Sequence, residues 1–186
     1  MASGSEFALV STVIGTFRIV YHDRTVQAVD LLERGIEQSG PPSDARPTAH
    51  FPPGSPPAQL REYFSGRRRE FQLEVDPLGG EFDRGVWKVL EKVQPGRTIS
   101  YGELARKSGH AGSARAVGGS VARNPIPIVS PCHRVVGEKG DLTGFGLGLW
   151  RKRWLLQHEG AWPLKSHTVD GPPDHAQRTL DGPHRR

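Results

Sequence analysis

The sequence predicts an α+β fold: a small N-terminal α/β part, made of an antiparallel sheet plus a helix, followed by a mainly helical part. Three observations carry this. Residues 8–32 alternate apolar and polar side chains with a period of two, as half-buried strands do. Residues 80–160 instead carry apolar residues at helical spacing. Between them, Pro77-Leu78-Gly79-Gly80 combines two helix breakers with a turn-forming proline, the expected boundary. The chain has 186 residues, enough to bury a real core as one large domain or two small ones. The expected layout is an N-terminal α/β domain over 8–79, a second domain with a helix-turn-helix over 80–162, and a disordered tail over 163–186.

Taken in order, residues 1–7 read as a cloning remnant and are set aside from fold reasoning. Phe17, Ile19 and Tyr21 alternate with Arg18 and Val20, and His22-Asp23-Arg24 suits a turn before a second extended run over 25–31. Residues 38–58 hold seven prolines and no continuous apolar face, which predicts a mobile loop. Leu60, Tyr63 and Phe64 recur at helical spacing up to Gly66, and Phe71, Leu73 and Val75 alternate as in a strand. Val86, Val89, Leu90 and Val93 line one face of a helix that stops before Pro95-Gly96. Ser100 and Glu103 fit a capping box, each satisfying a free backbone donor at the start of a short helix ending near Ser108. Gly109 to Gly112 make a turn, and Ser113 is placed to cap a second helix over 114–123. Two short helices across a glycine-containing turn suggest a helix-turn-helix. That second helix is built from small residues, with Gly118-Gly119 costing about 1 kcal/mol each relative to alanine. Close packing against another helix and close approach to a nucleic-acid backbone explain it equally well. Gly144-Phe145-Gly146-Leu147-Gly148 is a glycine-rich loop without the lysine of a phosphate cradle. A final helix is expected over 150–159, with Arg151-Lys152-Arg153 as a solvated face or, on the sharper reading, a contact to phosphate.

Composition narrows the function. The net charge is +5 and the isoelectric point about 9.7, compatible with an anionic partner without naming one. A single cysteine excludes an internal disulfide and a multi-cysteine zinc site. His167, His175 and His184 are too scattered for a metal site. No apolar run approaches membrane-spanning length, and a soluble, cytoplasmic protein is expected. The lone cysteine, Cys132, sits between a proline run and a β-branched pair, in Pro131-Cys132-His133-Arg134-Val135-Val136. At an ordinary pKa of about 8.5 only a few per cent of a thiol is ionised at neutral pH, so a reactive Cys132 needs a nearby base or cation. Adjacent residues of a regular strand point to opposite faces, so the adjacency of Cys132 and His133 is not by itself a dyad; the flanking prolines argue for a turn leading into a strand, where that objection weakens.

Residues 82–160 resemble the O6-alkylguanine-DNA alkyltransferase family. The matching elements are Ile99-Ser100-Tyr101-Gly102, Ala114-Arg115-Ala116-Val117-Gly118, Asn124-Pro125-Ile126-Pro127, the Pro131-to-Val136 segment and Leu155-Leu156-Gln157-His158-Glu159-Gly160. The resemblance implies DNA repair in which Cys132 irreversibly takes the alkyl group from O6-alkylguanine, and O4-alkylthymine is a further candidate substrate. It implies that His133 removes the thiol proton through a water, Glu159 orients that histidine, Asn124 braces the turn and Tyr101 donates to the leaving base. Val121, Arg134, Val135, Phe145 and Gly146 would surround the flipped base. Ser100, Ala114, Arg115, Ala116, Gly118 and Arg123 would contact DNA, with Arg115 filling the gap left by the extruded nucleotide. The implied partner is double-stranded DNA, held through the minor groove with little sequence preference by a monomer. No cofactor and no metal are implied, and the location is cytoplasmic, beside the nucleoid in a bacterium, or nuclear in a eukaryote. Phe145 stands where the family usually has tyrosine, and Gly146 and Leu147 also depart from the common pattern, which bears on substrate range. The competing readings are a non-enzymatic lesion sensor, a DNA-binding regulator and a thiol acceptor for a non-DNA alkyl donor.

Overall fold

The computed structural model describes residues 4–32 and 45–162. Three antiparallel strands form the centre of the first sheet: β1 (Glu6–Thr12), β2 (Gly15–His22) and β3 (Thr25–Leu32). Two short strands join its edges in parallel, β4 (Arg46–Pro47) beside β1 and β5 (Glu74–Val75) beside β3, giving the order β4-β1-β2-β3-β5. The expected turn falls at Asp23, whose φ of 52° is one that aspartate tolerates better than most residues.

Two expectations change here. The set-aside residues 1–7 include part of the sheet: Glu6 and Phe7 pair with Tyr21 and Val20 on one side and with Arg46 and Pro47 on the other. Residues 45–58 of the proline-rich stretch, expected as a mobile loop, hold a short strand and the start of a helix. Pro47 lies in an edge strand, where no backbone donor is missed. Pro56 and Pro57 open α1 (Pro56–Phe64), where the N–H groups they lack would have had no helical partner. Residues 38–44 of that stretch, and the expected tail over 163–186, lie outside the described residues.

The helical part comprises α2 (Glu81–Leu90), α3 (Tyr101–Lys107), α4 (Ala114–Ala122) and α5 (Leu149–His158). Helix α2 has Glu81 and Asp83 in its first turn, favourable beside the helix dipole, and buries Val86, Trp87 and Leu90. The Trp87 Nε1–H donates to the Ser120 carbonyl of α4 at 2.9 Å. At α3, half of the expected capping box forms: Ser100 Oγ accepts from the Glu103 N–H at 3.1 Å, while Glu103 pairs with Lys107 at 3.1 Å. Glu138 instead satisfies a different free donor of the first turn, accepting from the Gly102 N–H at 3.0 Å and from Ser100 Oγ at 2.9 Å. Ser113 occupies the cap position of α4 without a side-chain cap bond.

Two apolar clusters result. One gathers Val86, Leu90, Leu104, Val117, Val121, Cys132 and Val135. The other combines the sheet residues Phe17, Ile19, Val26 and Val29 with Leu60 and Tyr63 of α1, and also takes Ile126, Ile128 and Leu155 from beyond the 77–80 boundary. The Val29 N–H donates to the Pro125 carbonyl at 2.9 Å, tying the sheet directly to the turn that precedes the cysteine.

Candidate active site

Cys132 begins a 3-10 turn (Cys132–Arg134) that runs into β7 (Val135–Val136), paired in parallel with β6 (Ile99–Ser100). The 3-10 geometry removes the strand objection, since its side chains do not alternate across a sheet. Upstream, Asn124 closes the turn that leads to the cysteine. Its Nδ2–H donates to the Ser130 carbonyl at 2.8 Å, and its Oδ1 accepts from the Ile126 N–H at 3.1 Å. Ile128, fully buried within that turn, has φ 77°. This is a costly backbone for a β-branched residue, held because its side chain is packed in the core.

Cys132 is 6% exposed. Burial pushes its thiol above the ordinary value, offset in part by the Asn124 side chain, the Lys152 charge and backbone donors. The resting group is therefore a thiol that needs a base. His133 is fully buried, and burial holds its imidazole below the usual range despite the opposing pull of Glu159. Its Nε2 lies 3.0 Å from Glu159 Oε1. A neutral ring bonded to a carboxylate carries its proton on that nitrogen. Nδ1 is then an unprotonated acceptor, and it has no hydrogen-bond partner.

Glu159 follows the last residue of α5 and is 3% exposed. Burial alone would raise its pKa. The hydrogen bonds and charges of His133 and Arg134 outweigh this and hold the carboxyl far below the usual range. Arg134 donates through Nε to Oε2 at 2.8 Å and through Nη2 to Oε1 at 2.7 Å, and through Nη1 to the Val93 carbonyl. Arg134, expected beside the base, is thus sequestered behind the site, a correction with a clear cause: its guanidinium is the counter-ion that lets Glu159 stay charged while buried.

Tyr101 opens α3. Its ring lies 3.7 Å from where a Cβ at Gly118 would sit, and its hydroxyl is only loosely bonded to the Thr143 carbonyl at 3.4 Å. Burial raises its pKa, so it stays a protonated donor. Val121 and Val135 are buried in the same cluster as Cys132, Phe145 packs against both clusters and Gly146 is exposed. Along the other side, Arg115 and Ala116 are exposed on α4 and Ala114 is half-buried. Two expected DNA contacts are otherwise engaged: Arg123 grips Asp83 at 2.7 and 3.2 Å, and Ser100 caps α3.

Comparison with known proteins decides the family. Residues 81–161 match the family model described as 6-O-methylguanine DNA methyltransferase, DNA binding domain. A methylated-DNA–protein-cysteine methyltransferase of Mycolicibacterium paratuberculosis is 40% identical over 154 residues, spanning 83% of this chain and 92% of the relative. One from Shigella flexneri is 41% identical over 143 residues, spanning 75% and 78%. The chain belongs to the methylated-DNA–protein-cysteine methyltransferase family. A crystal structure of Mycobacterium tuberculosis OGT in complex with DNA also superposes on this methyltransferase, with a TM-score of 0.72 and 37% identity over 84% of this chain and 93% of that one. The shared activity is transfer of an alkyl group from O6-alkylguanine to a protein cysteine, a DNA repair reaction.

Two side chains beside these groups make contacts that the sequence does not predict. Lys152, expected on a solvated face, is fully buried, and its Nζ donates to the carbonyls of Thr143 at 2.6 Å and Gly144 at 3.2 Å. Burial lowers its pKa to about 8, and the Cys132 charge opposes that shift. Its neighbour Arg151 is also buried, donating from Nε to the Ile14 carbonyl at 2.7 Å. The apolar Trp150 and Trp154 pattern drew the stripe in the wrong place because long cationic stems bury well once the head finds carbonyls. The sequence places Tyr63 only on a helix face. Its hydroxyl donates to Glu159 Oε1 at 2.8 Å, and the sole hint in the sequence is that a buried tyrosine needs a partner for its O–H.

Proposed function

We propose that Cys132 Sγ is the alkyl acceptor and His133 the group that takes its proton. The observation that carries this is the neutral, buried imidazole fixed through Nε2 by Glu159, with its Nδ1 unpartnered. As the sulfur attacks the alkyl carbon in line, the S–C bond forms while the bond from carbon to O6 breaks. The electron pair stays on the guanine; the thiol proton passes through a water to His133 and is returned by way of solvent to the departing guanine, which becomes the normal base while the imidazole ends neutral as it began. Tyr101, with its hydroxyl only loosely held, donates to the leaving base as charge develops on it. The Val135 carbonyl and the backbone of residues 144–148 read the guanine edge. Asn124 and Lys152 fix the two segments that face each other across the cysteine.

Helices α3 and α4 serve as a helix-turn-helix that approaches double-stranded DNA from the minor groove. The small residues of α4 permit close approach, and exposed Arg115 fills the space of the flipped nucleotide. Sequence preference is weak because few side chains reach base edges, and affinity falls with salt. The protein acts as a monomer. Residues 80–162 hold the reacting groups, and residues 8–79 form the supporting α/β part.

Intact-mass measurement tests the assignment. After incubation with duplex DNA carrying O6-methylguanine, the wild type gains one methyl group and Cys132→Ala gains none. Tight binding to the lesion without a mass change would favour a sensor. A gain only with a non-DNA donor would favour the thiol-acceptor reading.

A further inference from the structure

The carboxylate of Glu159 is loaded unevenly. Oε2 accepts one hydrogen bond, from Arg134 Nε. Oε1 accepts three, from His133 Nε2 at 3.0 Å, Arg134 Nη2 at 2.7 Å and Tyr63 Oη at 2.8 Å. Tyr63 belongs to α1, 96 residues away in sequence, and no step of the reaction touches it. It is also rigid. Phe64 and Phe71 lie 5.4 and 5.2 Å from its ring, His158 packs edge-on at 5.1 Å, and the His158 Nε2 lies 2.7 Å from the Tyr63 carbonyl. Burial, then the Glu159 charge, keep the phenol protonated, so toward this oxygen it is a donor at every working pH.

A carboxylate oxygen that already accepts a phenol proton has less charge to offer an imidazole. Tyr63 and His133 compete for the same atom. We propose that Tyr63 is a positioning residue of the alkyl-transfer site: its hydroxyl fixes Glu159 Oε1 toward His133 while drawing off part of its charge, so that the N-terminal half sets how strongly the relay attracts the Cys132 proton. The inference rests on His133 as proton acceptor. The other groups facing this pair are the Arg134 guanidinium, the Lys152 ammonium on the α5 side, the Cys132 thiol, and Arg69, whose Nη2 donates to the Glu159 carbonyl at 3.0 Å. Deleting the phenol oxygen removes none of these groups and alters none of their charges.

Tyr63→Phe keeps the ring and its packing and deletes one donor. The His133 ring is followed by NMR against pH in the wild type, in Tyr63→Phe and in protein carrying 3-fluorotyrosine at position 63, whose more acidic hydroxyl is a stronger donor. The expected result is an upward shift of the His133 midpoint by about half a pH unit in Tyr63→Phe and a downward shift with fluorotyrosine. The acid limb of the alkyl-transfer rate should move in the same two directions. A purely structural tyrosine would lower thermal stability in Tyr63→Phe and leave both midpoints in place, which would overturn the proposal. Shifts of one sign in both proteins would overturn it too, as would a His133 that never titrates before unfolding in any of the three. If the wild type accepts no alkyl group, the parent assignment fails instead, while the ring titration still decides the role of Tyr63.

Discussion

Replacing Glu159 by glutamine removes one charge and leaves nearly the same volume, so its cost can be worked from the contacts. The carboxylate holds Arg134 by two hydrogen bonds and His133 and Tyr63 by one each. After the change, the Arg134 guanidinium, 5% exposed, keeps only the Val93 carbonyl as a full partner. Breaking a buried pair by removing one member typically costs about 3–5 kcal/mol, because the orphaned charge stays desolvated. The same order is expected here at pH 7, read as the difference in urea unfolding free energy with tryptophan fluorescence as the signal. The pH dependence carries its own sign. The folded pKa of Glu159 lies below its unfolded value, so its stabilisation is complete above about pH 4.3 and is lost as pH falls toward the folded value. The gap between wild type and Glu159→Gln should therefore narrow on acidification, since the glutamine has no proton to gain. A cost below about 1 kcal/mol at pH 7, or a gap unchanged between pH 7 and pH 3, would refute the reasoning.

Other outcomes follow from the same geometry. His133 is held neutral by burial, so the unfolded chain binds a proton that the folded one refuses; wild-type stability should decline as pH falls through about 6.5, and a flat urea midpoint between pH 7.5 and 5 would contradict it. Lys152→Met should raise the Cys132 midpoint, followed by thiolate absorbance, because a cation that favours the thiolate is gone. Arg115→Ala should slow repair of duplex DNA far more than reaction with free O6-benzylguanine; equal losses would remove its role at the flipped nucleotide. Asn124→Ala should cost about 2–4 kcal/mol, from two hydrogen bonds and the buried groups they leave unpaired, and a loss under 1 kcal/mol would show the turn to be self-supporting.

Much of the fold was legible because its signals are local. Period-two alternation marked β2 and β3, the glycine pair at 79–80 marked the start of α2, and Ser100 marked the start of α3; α2 itself stops at Leu90, short of Val93 and of Pro95-Gly96. The misreadings share a different origin. Glu6 and Phe7 have no distinctive pattern, and only pairing with β2 and β4 makes them a strand. Pro56 and Pro57 looked like loop composition because a helix start and a loop use the same residue. At the site, Cys132, His133 and Glu159 were readable from a resemblance to a family, and their arrangement fits the chemistry. Arg134, Lys152 and Tyr63 were misplaced or missed because their roles depend on which carbonyl or carboxylate lies across the fold. Charge suggests solvent by default, and no sequence pattern marks Thr143 and Gly144 as acceptors for a buried ammonium. The φ of Ile128 is invisible for the same reason.

The seam between the sheet and the cysteine turn also has a practical side. The Val29–Pro125 bond, the Arg151–Ile14 bond, the Tyr63–Glu159 contact and the apolar packing of Ile126 and Ile128 all cross from one half of the chain to the other. Leu78, 88% exposed, lies in the segment that joins the two halves, and none of these contacts runs through it. Fragments severed there and fused to two other proteins would make the thioether a permanent record of their meeting, a chemical memory read by mass long after the encounter has ended.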